Sequence, residues 1–404
     1  MRLSCLLLLA TLAQAQDFTQ RGYIETGLTV FPQTAPGDSG QAIGDALLRY
    51  EASKKIANWI RIYAAFDART DTHRMAEREW RFDWQDRGIE RPAFSLRRLS
   101  ATVHKGAFNF EFGKQLIRWG KADVFNPMDR FAPRDFLAVV DTDFLGIPAA
   151  RLTYEKGADT IELISQLRFT PSRVPLLNQR WVVLPQEAQG ITFTNGQRRY
   201  PGGTATGVRW NHIAKGYEYS AAFYDGHNHL SQFQLSLTPK FTVAINQSFV
   251  QMRMYGAAAA VPLRWFTLKG ESGYFTSSTK TADEYFQYVI QLERQSGEWS
   301  FVGGYAGEAV TVHRNPIGFA PDRGLSKSFV GRASLQIDPQ QVVALEGAIR
   351  QNGDGSWLKG EYTRTLSAQW KAVAGFSWIR GAPGDFLGQY KRNSHVLLAL
   401  RWSF

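Results

Sequence analysis

Apolar and polar residues alternate one by one along most of the chain, in runs of about ten residues. The clearest run is the last one, where every second residue from Val396 to Phe404 is apolar. The same period of two recurs around residues 60–69, 161–169 and 286–293. Successive side chains of a β-strand point to opposite sides, so this period predicts strands with one apolar and one polar face.

Short and long connections separate these runs, and the two kinds alternate along the chain. Short connections lie near residues 53–55, 104–106, 155–157, 214–216, 261–262, 295–297, 338–339 and 366–367. Longer polar connections lie near residues 32–43, 70–93, 119–147, 170–203, 226–247, 277–283, 309–326, 352–356 and 381–393. This arrangement predicts an all-β, antiparallel up-and-down barrel of about 18 strands, within roughly 16 to 20, with long loops at one end and short turns at the other.

A soluble β-sandwich shows the same alternation, so the ends of the chain and of the strands must decide between the two folds. Arg2, the apolar run Cys5–Leu12 and the small-x-small triplet Ala13–Ala15 predict a signal peptide over residues 1–15 that is cleaved off. Residues 16–404 then form a single transmembrane barrel domain. Aromatic rings suit a membrane interface, and six outward tryptophans are predicted near strand ends: Trp59, Trp210, Trp299, Trp357, Trp370 and Trp378.

The composition of the chain excludes several other classes of protein. The chain has 404 residues, of which 44% are hydrophobic and 13% aromatic, and it carries a formal charge of +11. Its single cysteine lies in the predicted leader, so the mature chain has no disulfide, no Cys-based zinc site and no cysteine nucleophile. No apolar run after the leader approaches the roughly 20 residues that a membrane-spanning helix needs.

The final strand, with Trp402 and the terminal Phe404, resembles the signal that the outer-membrane assembly machinery recognises. With the leader and the alternating strands, the chain resembles Gram-negative outer-membrane β-barrel proteins of the porin-like type. Residues 113–120 (GKQLIRWG), 126–129 (NPMD) and 133–135 (PRD) resemble a strand-to-loop segment of poorly characterised outer-membrane barrel families. The resemblance implies an integral protein of the bacterial outer membrane whose partners are membrane lipids, lipopolysaccharide, the assembly machinery and a small-molecule solute.

A barrel of about 18 strands leaves an aqueous channel unless something plugs it. The alternation places several arginines on the inner wall, and the candidates are Arg61, Arg97, Arg151, Arg168 and Arg209. A net positive wall favours anionic solutes. The alternative is that acidic residues on neighbouring strands neutralise these arginines and leave a polar lining without ion preference.

The third long connection is the predicted constriction, because it mixes aromatic, aliphatic and charged residues. The third loop of the porins that this chain resembles folds inward, which implies the same here. The candidate constriction residues are Arg118, Asp123, Asp129, Arg130, Arg134 and Asp135. Two alternatives stay open: the loop packs as an outer lid, or Phe131, Phe136, Leu137 and Phe144 line a lateral opening for hydrophobic solutes.

The sequence gives little support for other functions. The chain has no Gly-x-Ser-x-Gly, His-Glu-x-x-His or Walker A motif, so we expect no enzyme and no cofactor. His227 with His229, and Asp141 with Asp143, lack the remaining ligands of a metal site. No base-stacking platform or DNA-reading helix suggests a nucleic-acid partner. A barrel-resident enzyme whose groups come from separate strands, an adhesion protein, and any oligomeric state remain open.

Overall fold

The computed structural model describes residues 17–404 except for residues 178, 185–187, 189 and 315–319. The predicted signal peptide lies outside the described residues. Almost all of the regular structure is β-strand, and no helix among the described residues is long and apolar enough to cross a membrane.

Eighteen long strands form one closed antiparallel barrel. They are β1 Phe18–Val30, β2 Ala42–Ala57, β3 Ile60–Asp71, β4 Phe94–Lys105, β5 Phe108–Gln115, β6 Ile147–Lys156, β7 Asp159–Gln166, β8 Ala205–Ala214, β9 Tyr217–His227, β10 Gln251–Pro262, β11 Thr267–Thr276, β12 Glu284–Ser296, β13 Trp299–Val312, β14 Ser328–Asp338, β15 Gln341–Arg350, β16 Gly355–Thr365, β17 Trp370–Gly381 and β18 His395–Ser403. Each strand pairs with the next, which confirms the predicted fold class and strand count.

The barrel is closed by pairing between its first and last strands. Tyr23 of β1 lies opposite Ser403 of β18, and the ladder continues to Val30 opposite Val396. Phe404 extends this ladder by exchanging two backbone hydrogen bonds of 2.9 Å with Gly22. The carboxy-terminal segment that carries the predicted assembly signal is therefore also the segment that closes the sheet.

Long and short connections alternate as predicted. We number the long loops 1 to 9 in chain order, as residues 31–41, 72–93, 116–146, 167–204, 228–250, 277–283, 313–327, 351–354 and 382–394. The first short turn is a correction, because it lies at residues 58–59 and not at 53–55. Lys54 and Lys55 remain paired in the ladder, opposite Ile62 and Arg61 of β3, so their charge marks the end of a strand and not the turn itself.

The two faces of the barrel follow the predicted period. In β3, Phe66 is 39% exposed on the outside, whereas its neighbours Ala65 and Asp67 are 0% and 4% exposed on the inside. Five of the six predicted interface tryptophans are also exposed. The prediction for Trp357 was wrong: its ring is buried inside the barrel and donates a hydrogen bond to Ser377, while the next residue, Leu358, faces outward.

The inside of the barrel at the long-loop end is filled by loops. Loop 3 supplies Trp119, Met128 and Phe131 to an apolar cluster with inward side chains of β8 to β12. Further along the same loop, Val139 joins a second cluster with Trp357 and other inward residues of β14 to β17. Loop 3 therefore lies inside the lumen and touches its wall over many strands.

Loops 4 and 5 build a second, smaller sheet next to the barrel. It has three strands, Phe193–Arg199, Val243–Ser248 and Gln232–Leu237, with Val243–Ser248 in the middle. The hairpin pair is antiparallel, and the strand from loop 4 adds to it in parallel. This sheet gives the long-loop end a rigid surface that the barrel strands do not provide.

The first prediction concerns the outward face of β18. Leu398→Arg places a charge on an outward position that is 57% exposed, near the middle of the strand. A lipid-facing arginine near the midplane costs about 2–4 kcal/mol, so folding into lipid vesicles should be destabilised by that amount. Urea-dependent loss of the heat-modifiable gel band measures the effect.

Leu397→Arg is the matched control, because Leu397 is the neighbouring residue on the lumen side. We expect a much smaller destabilisation for this variant, since its guanidinium reaches the polar interior. Equal effects of the two variants would contradict the assignment of the faces.

Candidate functional site

Loop 3 is anchored to the lumen wall far from the strands that it connects. It leaves β5 and returns to β6, but the backbone N–H groups of Lys121 and Met128 donate to the Glu271 carboxylate of β11, at 2.8 and 2.7 Å. Glu271 is only 3% exposed. Further on, Asp141 accepts a hydrogen bond of 3.1 Å from the Lys359 ammonium of β16. The loop thus crosses the lumen instead of covering it from outside.

The start of loop 3 is held by two carboxylates. Asp129 accepts the backbone N–H groups of Trp119 and Gly120, both at 2.7 Å, and pairs with the Arg118 guanidinium at 3.3 Å. Glu162 of β7 accepts the indole N–H of Trp119. Hydrogen bonds to charged acceptors are about twice as strong as neutral ones, so this segment has a fixed shape.

Aromatic packing holds the same segment against the wall. The ring of Phe131 meets Trp119 edge-on at 5.1 Å and Tyr224 of β9 at 4.9 Å. Gly207 of β8 makes this approach possible, because a Cβ atom there would lie 2.6 Å from both the Phe131 and Trp119 rings. A glycine inside a strand is a sequence sign of such close approach.

Four of the six predicted constriction residues come together. Asp129, Arg130 and Arg134 line a cavity of about 80 Å³, together with His229 of loop 5 and Asp322 of loop 7. Arg118 joins them through its ion pair with Asp129. A cavity of this volume holds a few water molecules, and it lies where loops 3, 5 and 7 meet.

Charged groups at this cavity come in nearly equal numbers. Arg130 and Arg134 line it with Asp129 and Asp322, and Arg118 adjoins it through its ion pair with Asp129. Arg130 approaches Asp322 at 3.5 Å. Arg134 makes no ion pair with the described residues and lies over the Phe144 ring at 4.6 Å, and Arg118 lies over the same ring at 4.4 Å.

The other two predicted constriction residues lie elsewhere. Asp123 contacts β11 and β12, with its carboxylate 3.6 Å from the Lys269 ammonium. Asp135 is 3% exposed and pairs with Arg91 at 2.9 Å and Arg173 at 3.2 Å. Burial alone would raise the pKa of Asp135, but the two guanidinium groups hold it well below its usual range. Asp135 fastens loop 3 to loops 2 and 4 and does not line the cavity.

Three of the five predicted wall arginines contact either a carboxylate of loop 3 or a wall carboxylate that binds the loop. Arg97 of β4 pairs with Asp143 near the end of the loop, at 2.8 Å. Arg151 of β6 donates to the Glu162 carboxylate at 2.6 Å, and Arg209 of β8 approaches it at 3.9 Å. Arg97 therefore binds the loop directly, and Arg151 and Arg209 share the Glu162 carboxylate that also binds Trp119 of the loop.

The remaining two wall candidates differ from each other. Arg61 of β3 is an exposed inward residue that makes no ion pair with the described part of the chain. Arg168 lies beyond the end of β7, in loop 4, and donates a hydrogen bond of 2.8 Å to the Gln85 side chain of loop 2. Arg168 therefore joins two loops and is not on a barrel strand.

Two residues that complete the site were not singled out by their sequence. Glu271 is one of many acidic residues at inward positions, and nothing in the neighbouring sequence marks it as an anchor for a loop. Asp322 belongs to loop 7, which has no pattern of its own. Both residues meet loop 3 across more than 140 positions of sequence.

Comparison with known proteins supports the fold. The sequence matches no protein-family model, and no curated protein matches it. Its structure is similar to that of a BenF-like porin from Pseudomonas fluorescens Pf-5, with a TM-score of 0.54, 9% identity, and coverage of 97% of this chain and 99% of that chain. It is also similar to OccK11 (OpdR) of Pseudomonas aeruginosa, with a TM-score of 0.52, 8% identity and 96% coverage of both chains. The predicted resemblance to porin-like barrels is thus confirmed at the level of the fold.

The second prediction concerns pH and His229, which lines the cavity between loops 3, 5 and 7. Its ring stacks on the Phe169 ring of loop 4, with centroids 5.1 Å apart, and its Nδ1–H donates a hydrogen bond to the Thr170 carbonyl. Burial lowers the pKa of His229 to about 4. The ordinary pKa of histidine is about 6.5. Between pH 4 and pH 6.5, His229 therefore binds a proton when loop 5 is open but not when its ring is packed inside. The packing is therefore fully stable only above pH 6.5 and weakens as the pH falls toward 4.

Hydrogen exchange measures this weakening. The amide of Ser172 donates to the His229 carbonyl at 2.8 Å, and its protection factor should fall between pH 7 and pH 5. His229→Phe keeps an aromatic ring but cannot bind a proton, so its protection should not change over this range. An equal pH response in both proteins would show that His229 is not the titrating group.

Proposed function

We propose that the protein is a channel of the bacterial outer membrane through which small solutes diffuse past loop 3. The observation that carries the proposal is the anchoring of loop 3 across the lumen by Glu271. An inward loop held by backbone hydrogen bonds narrows a wide barrel to a defined opening. The similarity to two solved porins supports this reading through the fold that they share.

The outer-membrane location rests on the surface of the barrel. Outward side chains on neighbouring strands are apolar and exposed, such as Ile24, Leu28, Leu398 and Leu400. A closed barrel with this face satisfies its backbone hydrogen bonds without water, which a lipid environment demands. On this proposal, lipopolysaccharide phosphates meet basic residues of the long loops, and the assembly machinery recognises the strand that ends in Trp402 and Phe404.

The proposed path narrows at the cavity between loops 3, 5 and 7. A second cavity of about 60 Å³ lies beside the first and shares Met252 and Asp322 with it. A solute that passes here exchanges part of its hydration shell for arginine N–H donors and aspartate acceptors. With the adjoining Arg118 counted, three guanidinium groups face two carboxylates at this cavity, and on that balance we propose an anion preference.

The carrier for hydrophobic solutes receives less support from loop 3. Phe131, Phe136 and Leu137 are at most 3% exposed and pack inside the protein. The guanidinium groups of Arg118 and Arg134 both lie over the ring of Phe144. These residues therefore hold the loop in place, and none of the four lines an opening toward lipid.

The third prediction tests the anion preference. Single-channel recording in a planar bilayer under a salt gradient should give open steps with an anion-favouring reversal potential. Arg134→Ala should move that potential toward zero, because it removes an unpaired charge from the constriction. Arg364→Ala is the matched control, since Arg364 is exposed on the outward side of β16. A cation-favouring wild type, or equal shifts in both variants, would refute the preference.

The fourth prediction tests the role of loop 3. Glu271→Ala removes an acceptor of backbone hydrogen bonds, each worth about 1.5–3 kcal/mol, and should release the loop from β11. The conductance should rise and become noisier. Glu346→Ala is the control, because Glu346 faces the lumen from β15 and, among the described residues, pairs with Arg332 alone, at 3.8 Å. A folded barrel with no conductance in any variant would instead favour a closed lumen and refute the channel.

A further inference from the structure

Two arginines share one exposed tryptophan ring at the short-turn end of the barrel. Trp265 lies in the turn between β10 and β11 and is 60% exposed. The guanidinium carbons of Arg264, its neighbour, and Arg294 of β12 lie 5.1 and 5.6 Å from the centroid of this ring. Contact with an aromatic face holds a cation in place. We call these three residues the rim cluster, and its two charges are close enough together for one ligand to reach both.

The two guanidinium groups of the rim cluster have no counter-ion in the protein. Neither makes an ion pair or a hydrogen bond with the described part of the chain. Glu293, next to Arg294 in the sequence, pairs instead with Lys269 on the lumen side, at 2.6 Å. Glu298 of the following turn pairs with neither arginine. Two like charges beside one ring repel each other, and an anion bound between them would remove that repulsion.

The rim cluster borders the apolar outer surface of the barrel. Leu292 and Ile290, two and four residues before Arg294 on β12, are 45% and 53% exposed, whereas Gln291 between them is 0% exposed and faces the lumen. Phe301 of β13 lies directly opposite Arg294 and is 42% exposed. Arg294 therefore faces outward at the level where charged headgroups meet acyl chains.

Open space lies on both sides of Leu292 and Ile290. Gly303 of β13 pairs with Leu292, and Gly270 of β11 pairs with Ile290, so both glycines are on the outward face. A Cβ atom at either glycine would meet no other atom within 4 Å. Glycine inside a strand marks sites where a ligand approaches the backbone closely. Leu292 is only about 7 Å along the strand from Arg294, so a chain lying here can have its headgroup at the rim cluster.

We propose that the rim cluster and the adjoining face of β12 bind an anionic phospholipid. Its phosphate lies between Arg264 and Arg294, and its acyl chains lie beside Leu292 and Ile290. Short turns of outer-membrane barrels face the periplasm, so the lipid belongs to the periplasmic leaflet. A headgroup that carries its own positive charge, such as phosphocholine, would bring a third cation to the same ring and should bind more weakly. The proposal rests on the outer-membrane location proposed above, but not on conduction.

Native mass spectrometry of the full-length barrel tests this site. The folded protein in detergent micelles is titrated with phosphatidylglycerol or with phosphatidylcholine of the same acyl chains, and the lipids that stay bound are counted. We expect phosphatidylglycerol to half-saturate the first bound position at a several-fold lower mole fraction than phosphatidylcholine. An equal concentration of inorganic phosphate should not displace the lipid, because the acyl chains supply part of the binding.

Charge variants locate the site. Arg264→Gln combined with Arg294→Gln should raise the half-saturating mole fraction of phosphatidylglycerol about 25-fold, because each arginine near an anionic headgroup contributes about a fivefold gain in affinity. Arg264→Lys combined with Arg294→Lys keeps both charges and should keep most of the preference. Arg364→Gln is the matched control, since Arg364 is an exposed outward arginine at the same end of the barrel, and it should change nothing. Heat-modifiable migration shows that each variant is folded.

Four results would overturn the proposal: equal half-saturation by the two lipids in the wild type, an unchanged preference in the double glutamine variant, an equal loss in Arg364→Gln, or displacement by inorganic phosphate, which indicates a site for free anions. Single-channel recordings on the same preparations keep the two proposals apart. A barrel that conducts but has no lipid preference rejects the lipid site alone. A barrel that has the preference but does not conduct rejects the channel alone.

Discussion

The structure depends on the closure of one hydrogen-bonded sheet. An apolar surrounding offers no partner for the N–H and C=O groups of an edge strand, so β1 and β18 must pair with each other. The backbone bonds between Gly22 and Phe404 complete that pairing. Once the sheet is closed, every strand has a defined inner and outer side, and the alternation of side chains separates a lumen from an apolar surface.

Closure creates a wide lumen, and loop 3 then occupies it. The loop is held mostly by carboxylates that accept its backbone or side-chain N–H groups, with Asp129 inside the loop and Glu162 and Glu271 on the wall. The rings of Trp119 and Phe131 also pack closely against the backbone at Gly207. A loop fixed in this way leaves a small cavity beside it that a few charged side chains line.

The long loops create two chemically different environments a short distance apart. Between loops 3, 5 and 7 the cavity is lined by both arginines and aspartates. Between loops 4 and 9 and the small sheet the described surface is mostly apolar.

The sequence by itself determined the barrel, because period two and the lengths of connections are local properties that closure turns into a fold. It also predicted a cluster of six charged residues in loop 3, of which Arg118, Asp129, Arg130 and Arg134 lie together, since they are close to one another in one loop. Only the tertiary structure decided that Asp135 is a buried anchor, that Trp357 faces inward, and that Glu271 and Asp322 complete the site. Those outcomes depend on contacts between residues far apart in the chain, and a local pattern carries no information about which distant side chain a loop will meet.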